Sequence, residues 1–119
     1  MSMRGDSAGV PRGLIRQGDL LLVPVDGLPN GADRVRSGRL VLAEGEATGH
    51  AHVVDDECAS LHRRRDRWSP VALYLSVVGN QPVFLVHEEH DRLRVSPGVW
   101  EVRRQREYEP RGRSRRVSD

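Results

Sequence analysis

The chain has 119 residues, of which 37% are hydrophobic and 30% charged, and its net charge is +2. This length can bury one modest core. Its single cysteine, Cys58, excludes an internal disulfide and a cysteine-based structural zinc site. The first residues lack a signal-peptide pattern, and the apolar run at 20–23 is far shorter than the roughly 20 residues that cross a bilayer. We therefore expect a cytoplasmic protein that does not bind a membrane.

The positive charge is concentrated at the two ends of the chain. Residues 1–12 carry +1 and residues 111–119 carry +3, so the whole-chain value of +2 leaves −2 for residues 13–110. We expect disordered tails at 1–12 and 111–119 around a folded domain at 13–110. An acidic domain argues against nucleic-acid binding, except for weak contacts made by the basic C-terminal tail.

Short apolar runs separated by glycine, proline and asparagine predict strands along the whole domain. No stretch shows the helical period over three turns. The predicted strands lie, in chain order, at residues 19–25, 39–43, 50–54, 58–62, 71–78, 83–86, 93–95 and 99–102.

Seven or eight short strands at regular spacing indicate an all-β fold, a small single-domain barrel or sandwich. The alternation of apolar residues along each run predicts which side chains form the core. The predicted core residues are Leu20, Leu22, Leu40, Leu42, Val53, Leu73, Leu75, Val77, Phe84, Val86, Val99 and Trp100.

Four of the five histidines form two tight pairs, His50 with His52 and His87 with His90. Residues two apart project to one face of a strand, so the first pair can chelate one ion. The second pair can converge across a turn. Imidazole is the commonest metal ligand in proteins, and we therefore predict a metal site if the two strands are neighbours.

Carboxylates beside the histidines would complete such a site, and Glu57 and Glu88 are the candidates. A set of imidazoles and carboxylates suits Zn²⁺, Fe²⁺, Mn²⁺ or Ni²⁺ without choosing among them. Two alternatives remain open. The histidines can be ordinary solvated or hydrogen-bonded side chains, or one can act as a general base oriented by Glu88 or Glu101.

The first histidine pair carries a family resemblance. His50-Ala51-His52 followed by Glu57 resembles the first motif of the cupin family, in which two histidines and a glutamate bind a metal. His87 lies where the later cupin histidine would be. The resemblance implies a cupin-like barrel with a metal at His50, His52, Glu57 and His87.

A second resemblance covers residues 14–110. The phrases VLAEGEATGHAH, HEEH and PGVWEVRRQREYEP are similar to those of a family of small, uncharacterised bacterial proteins. That family implies no particular chemistry.

The sequence therefore supports two functions of different kinds. In the first, a divalent metal held by the histidines activates water or a small oxygen-containing substrate. In the second, the domain is a non-enzymatic interaction module that binds a protein or nucleic acid, and its edge strands can form a homodimer. The two functions differ in whether the protein is an enzyme, and the residues identify no substrate.

Overall fold

The computed structural model of the protein describes residues 13–44, 49–66 and 69–105. The predicted disordered tails lie outside these residues, as does the predicted domain end at 110, so they stay predictions. The described chain is almost entirely β-strand, which confirms the predicted all-β class. In the described ranges no helix is long and apolar enough to span a membrane.

Eight strands make up the described part of the chain, and all their pairings are antiparallel. The strands are β1 (Ile15–Gln17), β2 (Leu20–Val25), β3 (Asp33–Glu44), β4 (Ala51–Asp66), β5 (Ser69–Val77), β6 (Val83–Val86), β7 (Leu93–Val95) and β8 (Gly98–Arg104). The prediction missed β1, and it divided β4 into two strands.

The strands form one barrel-like sheet that is nearly closed. Their order is β1-β2-β8-β5-β4-β6-β7, and β3 pairs with β4 outside this path. The two ends of the order, β1 and β7, contact each other. The predicted barrel is therefore confirmed.

The longest strand, β4, pairs with β3 along most of its length but changes its second neighbour midway. Its first half pairs with β6 and its second half with β5. Between the pairs Ser37–Ser60 and Gly38–Asp56, β4 has extra residues at 57–59, which form a bulge. Within the bulge the Cys58 N–H donates to Asp56 Oδ1 at 2.8 Å instead of to a ladder partner. A bulge bends its strand, so one strand can serve both sides of the barrel. Asp55 and Asp56, which precede the bulge, are still paired with Arg39 and Gly38 of β3.

The core is one cluster of side chains from all the strands except β1. Trp100 is 1% exposed, and its indole N–H donates to the Ser96 carbonyl at 3.1 Å, so the large ring is buried without losing its hydrogen bond. The fully buried residues of large volume are Trp100, Leu20, Leu22, Leu40, Leu75, Leu85, Val54, Val83 and Val95.

The predicted core is wrong at β6, where the opposite face of the strand is buried. Phe84 and Val86 are 38% and 46% exposed, whereas Val83 and Leu85 are 1% and 0% exposed. The same inversion occurs on β4, where Val54 is buried and Val53 only partly so. All four residues of β6 are apolar, and no polar residue marks the outer face. The alternation of apolar and polar residues therefore cannot show which face of β6 is buried.

Two substitutions in β6 test directly which face of the strand is buried. We expect Leu85→Ala to lower the free energy of unfolding by about 2–5 kcal/mol, because it leaves a cavity in the core. Phe84→Ala should cost about 1 kcal/mol or less, because the ring is on the outer face and only strand propensity and surface contacts are lost. Urea denaturation of the two variants beside the wild type checks this. A larger loss for Phe84→Ala would mean that the strand is inverted.

Candidate metal centre

The two histidine pairs converge at one end of the barrel. His50 and His52 stand at the start of β4, and His87 follows the end of β6. Because Val53 pairs with Val86, the residues just beyond this pair are also neighbours. The ring centroids of His87 lie 5.7 Å from His50, 4.4 Å from His52 and 4.6 Å from His90. The structure thus brings all four predicted histidines together.

Three side chains of this cluster could hold a metal ion. One ligand atom from each of His50, His87 and Glu88 lies within 4.8 Å of the other two. Both imidazoles are half-buried and the carboxylate is exposed. Two imidazoles and one carboxylate form a donor set that leaves coordination positions open for water or a substrate.

Glu88 is held in place by the strand that carries the first histidine pair. Its Oε1 accepts a hydrogen bond of 3.0 Å from the Ala51 N–H. This bond lowers the pKa of the Glu88 carboxyl, with further contributions from its own backbone N–H and from His50 and His87. Glu88 is therefore an ionised carboxylate beside the two imidazoles at neutral pH.

His52 is fixed by the side-chain amide of Gln17, which is 3% exposed. The Gln17 Nε2 donates to the carbonyls of Leu85 at 3.0 Å and Asp91 at 2.9 Å. Both amide hydrogens are used, so the amide oxygen faces His52 Nδ1 at 2.8 Å and must accept from it. Neutral His52 consequently carries its proton on Nδ1 and has a lone pair on Nε2.

The lone pair of His52 faces a second carboxylate. His52 Nε2 lies 3.6 Å from Asp19 Oδ1, and Asp19 Oδ2 accepts from Arg104 at 2.9 Å and 3.2 Å. Burial lowers the pKa of His52, and the neighbouring His87 lowers it further, which outweighs the opposing effect of Asp19. Burial acts to raise the pKa of Asp19, but the hydrogen bond and charge of Arg104 bring it below its usual value.

The turn between β1 and β2 approaches the cluster closely at Gly18. Its φ is +60°, and a Cβ there would lie 2.8 Å from His90 Nε2 and 3.4 Å from His52 Cε1. The positive φ favours glycine at this position, and a Cβ there would force the ring of His90 to shift. The exposed ring of His90 packs against this bare backbone.

The remaining glutamate of the second pair supports two histidines. The Glu89 N–H donates to His87 Nδ1 at 3.0 Å, and Glu89 Oε1 lies 3.5 Å from His50 Nδ1. Since Nδ1 of neutral His87 accepts this bond, its proton is on Nε2. An ion bound through His87 Nε2 would require this proton to move to Nδ1, and the hydrogen bond from the Glu89 N–H would then break.

The structure does not bring Glu57 into this cluster. Glu57 is exposed within the bulge of β4, and it is not part of the group whose ligand atoms lie within 4.8 Å. His62 is buried elsewhere on β4, where its Nε2 is 2.8 Å from Ser60 Oγ. Glu101, the alternative orienting carboxylate, accepts instead from Arg103 at 2.6 Å.

Sequence reasoning missed the residues that support the histidines: Gln17, Gly18, Asp19 and Arg104. Three of them adjoin the β1–β2 turn, and β1 is too short to show a period. The run Gln17-Gly18-Asp19 reads as a polar turn. Only the glycine gave a usable signal, since glycine in a turn often marks a close approach of the backbone.

A match to one protein family covers the whole of this centre. A domain family described as a domain of unknown function (DUF8820) matches residues 16–105, a range that includes every histidine and glutamate of the cluster. Comparison with curated proteins and with solved structures finds no match.

Removal of the Gln17 amide should destabilise the barrel. Gln17→Leu leaves two carbonyls and the His52 Nδ1–H without their partners, and each buried unsatisfied group costs about 1–3 kcal/mol. We expect the free energy of unfolding to fall by at least about 2 kcal/mol. Gln81→Leu is the control, because Gln81 is exposed in the turn before β6. Equal stability of the two variants in urea denaturation would contradict the proposed hydrogen bonds.

Stability should also fall with acidification below about pH 6.5. The pKa values of His52 and His62 both lie below 6.5, chiefly because burial disfavours the charged ring. The unfolded chain therefore binds more protons than the folded chain as the pH falls from 6.5 through the lowered pKa values. The pKa values of Asp19 and Glu88 are also lowered, so protonation of these carboxylates reduces the stability further only at more acidic pH.

Urea denaturation at about pH 7.5 and about pH 5.5 measures this dependence. We expect the wild type to be less stable at the lower pH, and His62→Gln to lose less stability between the two values. A wild-type stability that rises on acidification would contradict the assigned directions.

Proposed function

The chain belongs to the DUF8820 family, and we propose that it binds a divalent transition-metal ion through His50, His87 and Glu88. The observation that carries the proposal is the mutual approach of these three ligand atoms to within 4.8 Å. The ligands come from both histidine pairs, which are far apart in sequence and are brought together by the pairing of β4 with β6.

The donor set determines which ions and which chemistry fit. Two imidazoles and one carboxylate suit Zn²⁺, Fe²⁺, Mn²⁺ or Ni²⁺, and they neutralise only one of the ion's two charges. Three protein ligands leave an open position, at which an ion can lower the pKa of a bound water or polarise a substrate oxygen. The Ala51 N–H, which orients Glu88, supports such a site from behind the ligand.

His52 and His90 are proposed as the source of a further ligand. Both rings lie within 5 Å of the His87 ring, centroid to centroid, at 4.4 Å and 4.6 Å. His52 is held by Gln17 with its Nε2 lone pair available, whereas His90 is exposed and has more room to rotate. A fourth protein ligand would close the site and favour a structural ion, and its absence would favour a catalytic one.

The proposed centre is cupin-like in its ligands but not in their positions. Cupin resemblance assigns the carboxylate to Glu57, whereas we propose that Glu88 of the second pair supplies it. Glu57 lies five residues beyond His52 along β4, which is roughly 16 Å in an extended strand, so the two side chains do not reach one ion.

The alternative function is an interaction module, and one observation favours it. In the ranges that the structure describes, β3 pairs only with β4, so its other edge offers unpaired backbone groups over many residues. Val35 and Val41 of this strand are 47% and 37% exposed. A protein partner or a second copy could add a strand here.

Elemental analysis and calorimetric titration of the purified chain test the metal proposal. We expect about one equivalent of a transition metal, and Glu88→Gln should weaken its binding by at least about tenfold. Glu57→Gln is the matched control, since it removes the same charge from the carboxylate outside the cluster. It should leave metal affinity unchanged.

The double variant His50→Ala/His87→Ala should lose the ion altogether. Retention of the metal by this variant, or a wild type that binds none of the four ions, would overturn the proposal. In the second case a dimer or a captured protein that is lost on substitution of Val41 by lysine would support the interaction module instead.

A further inference from the structure

A groove on the outer face of the barrel begins at two residues of the metal centre. It encloses about 430 Å³, and His87 and Glu88 line one end of it. Its middle is apolar and is formed by Val53, Phe84 and Val86, while its far end is polar. A concave site of a few hundred Å³ with apolar walls and a few polar groups at its ends has the size and character of a small-molecule site.

The apolar middle of the groove is not explained by the core. Phe84 and Val86 face outward from β6, and their exposed fractions of 38% and 46% are high for large apolar side chains. Val53 pairs with Val86 on one side and with Val41, 37% exposed, on the other. Three neighbouring strands thus present one apolar patch, and such patches commonly mark binding surfaces.

The walls of the groove are held in position. The guanidinium carbon of Arg92 lies 4.4 Å from the centroid of the Phe84 ring, which is a cation–π contact. The backbones of β4 and β6 are joined by their ladder at Val53 and Val86. A ligand that enters therefore meets a surface that is largely formed in advance.

The charges at the two ends differ, and they select the ligand. With a divalent ion bound, the carboxylates of Glu88 and of Glu89, which lies 3.5 Å from His50, balance its two charges, while the open coordination position on the ion still accepts an anionic oxygen. At the far end Arg39 is the register partner of Asp55, and Asp56 adds one negative charge. An anionic oxygen donor is attracted to the first end, and a second anion is repelled from the other.

We propose that this groove binds a small monocarboxylate with an apolar body, whose carboxylate ligates the metal while its hydrocarbon covers Phe84 and Val86. The inference rests on the proposed metal function, because the ion supplies the open coordination position. Residues 51–55 of β4 run along the groove for roughly 13 Å, which suits a chain of medium length rather than a long acyl chain.

Calorimetric titration of the metal-loaded full chain with hexanoate, acetate and adipate tests the proposal. Hexanoate should bind at least about tenfold more tightly than acetate, because only its methylenes reach the apolar middle. It should also bind more tightly than adipate, which has the same length but puts a second carboxylate beside Asp55 and Asp56. Equal affinity for all three acids would overturn the inference.

A pair of matched valine variants locates the binding. Val86→Ser should weaken hexanoate binding by about fivefold and leave metal affinity and acetate binding as in the wild type. Val78→Ser is the control, since Val78 is 59% exposed and does not line the groove. Hexanoate binding that is unaffected by Val86→Ser places the acid elsewhere and overturns the inference.

Two further outcomes separate this inference from the metal proposal. If the chain binds its ion but no carboxylate, the metal centre stands and the ligand class is wrong. If the wild type is a dimer that Val86→Ser converts to a monomer, a second copy covers the patch, and the small-molecule proposal is wrong. If no ion binds at all, both proposals fail.

Discussion

The double pairing of β4 is the constraint on which the rest of the fold depends. One edge of this strand is paired with β3, so its other edge must satisfy both β5 and β6. The bulge at 57–59 bends this strand of sixteen residues between the half that meets β6 and the half that meets β5. The order of the barrel strands then follows from which half of β4 each neighbour meets.

The same constraint creates the cluster of histidines. Because β6 meets β4 along the first half of β4, the chain leaves β6 beside the start of β4, where His50 and His52 lie. Residues 87–90 turn there and bring the second pair within ring contact of the first. Within this cluster His52 is held by the Gln17 amide, and Glu88 is held by the Ala51 N–H.

The sequence predicts the strands well because most of them are apolar runs between clear turns. It fails where a run contains no polar residue, as at Val83 to Val86, and where a bulge interrupts a strand, as at Glu57. Both failures arise from tertiary pairing, which decides phase and continuity after local preference has been satisfied. The strand β1 was missed because three residues are too few to show alternation.

The sequence likewise predicts part of the candidate site and misses the rest. Spacing alone identifies the four histidines, which form two tight pairs, and Glu88, which lies between His87 and His90. It cannot show that Glu57 lies apart, because that depends on the continuation of β4 beyond residue 54, where the predicted strand ended. Nor can it reveal Gln17 and Asp19, whose roles come from contacts with residues 33 or more positions away.

The Gln17 amide joins the parts of the barrel that the backbone ladder does not. Gln17 ends β1, at one end of the strand order, and its three hydrogen bonds reach β4, β6 and the chain just before β7 at the other end. These bonds hold together the seam of the barrel, where β1 meets β7, and the ring of His52 is one of their partners. By thermodynamic linkage, any ligand that favours this orientation of the ring also favours the closed seam, and opening of the seam releases the ring. The histidine cluster and the closure of the barrel are consequently parts of one equilibrium.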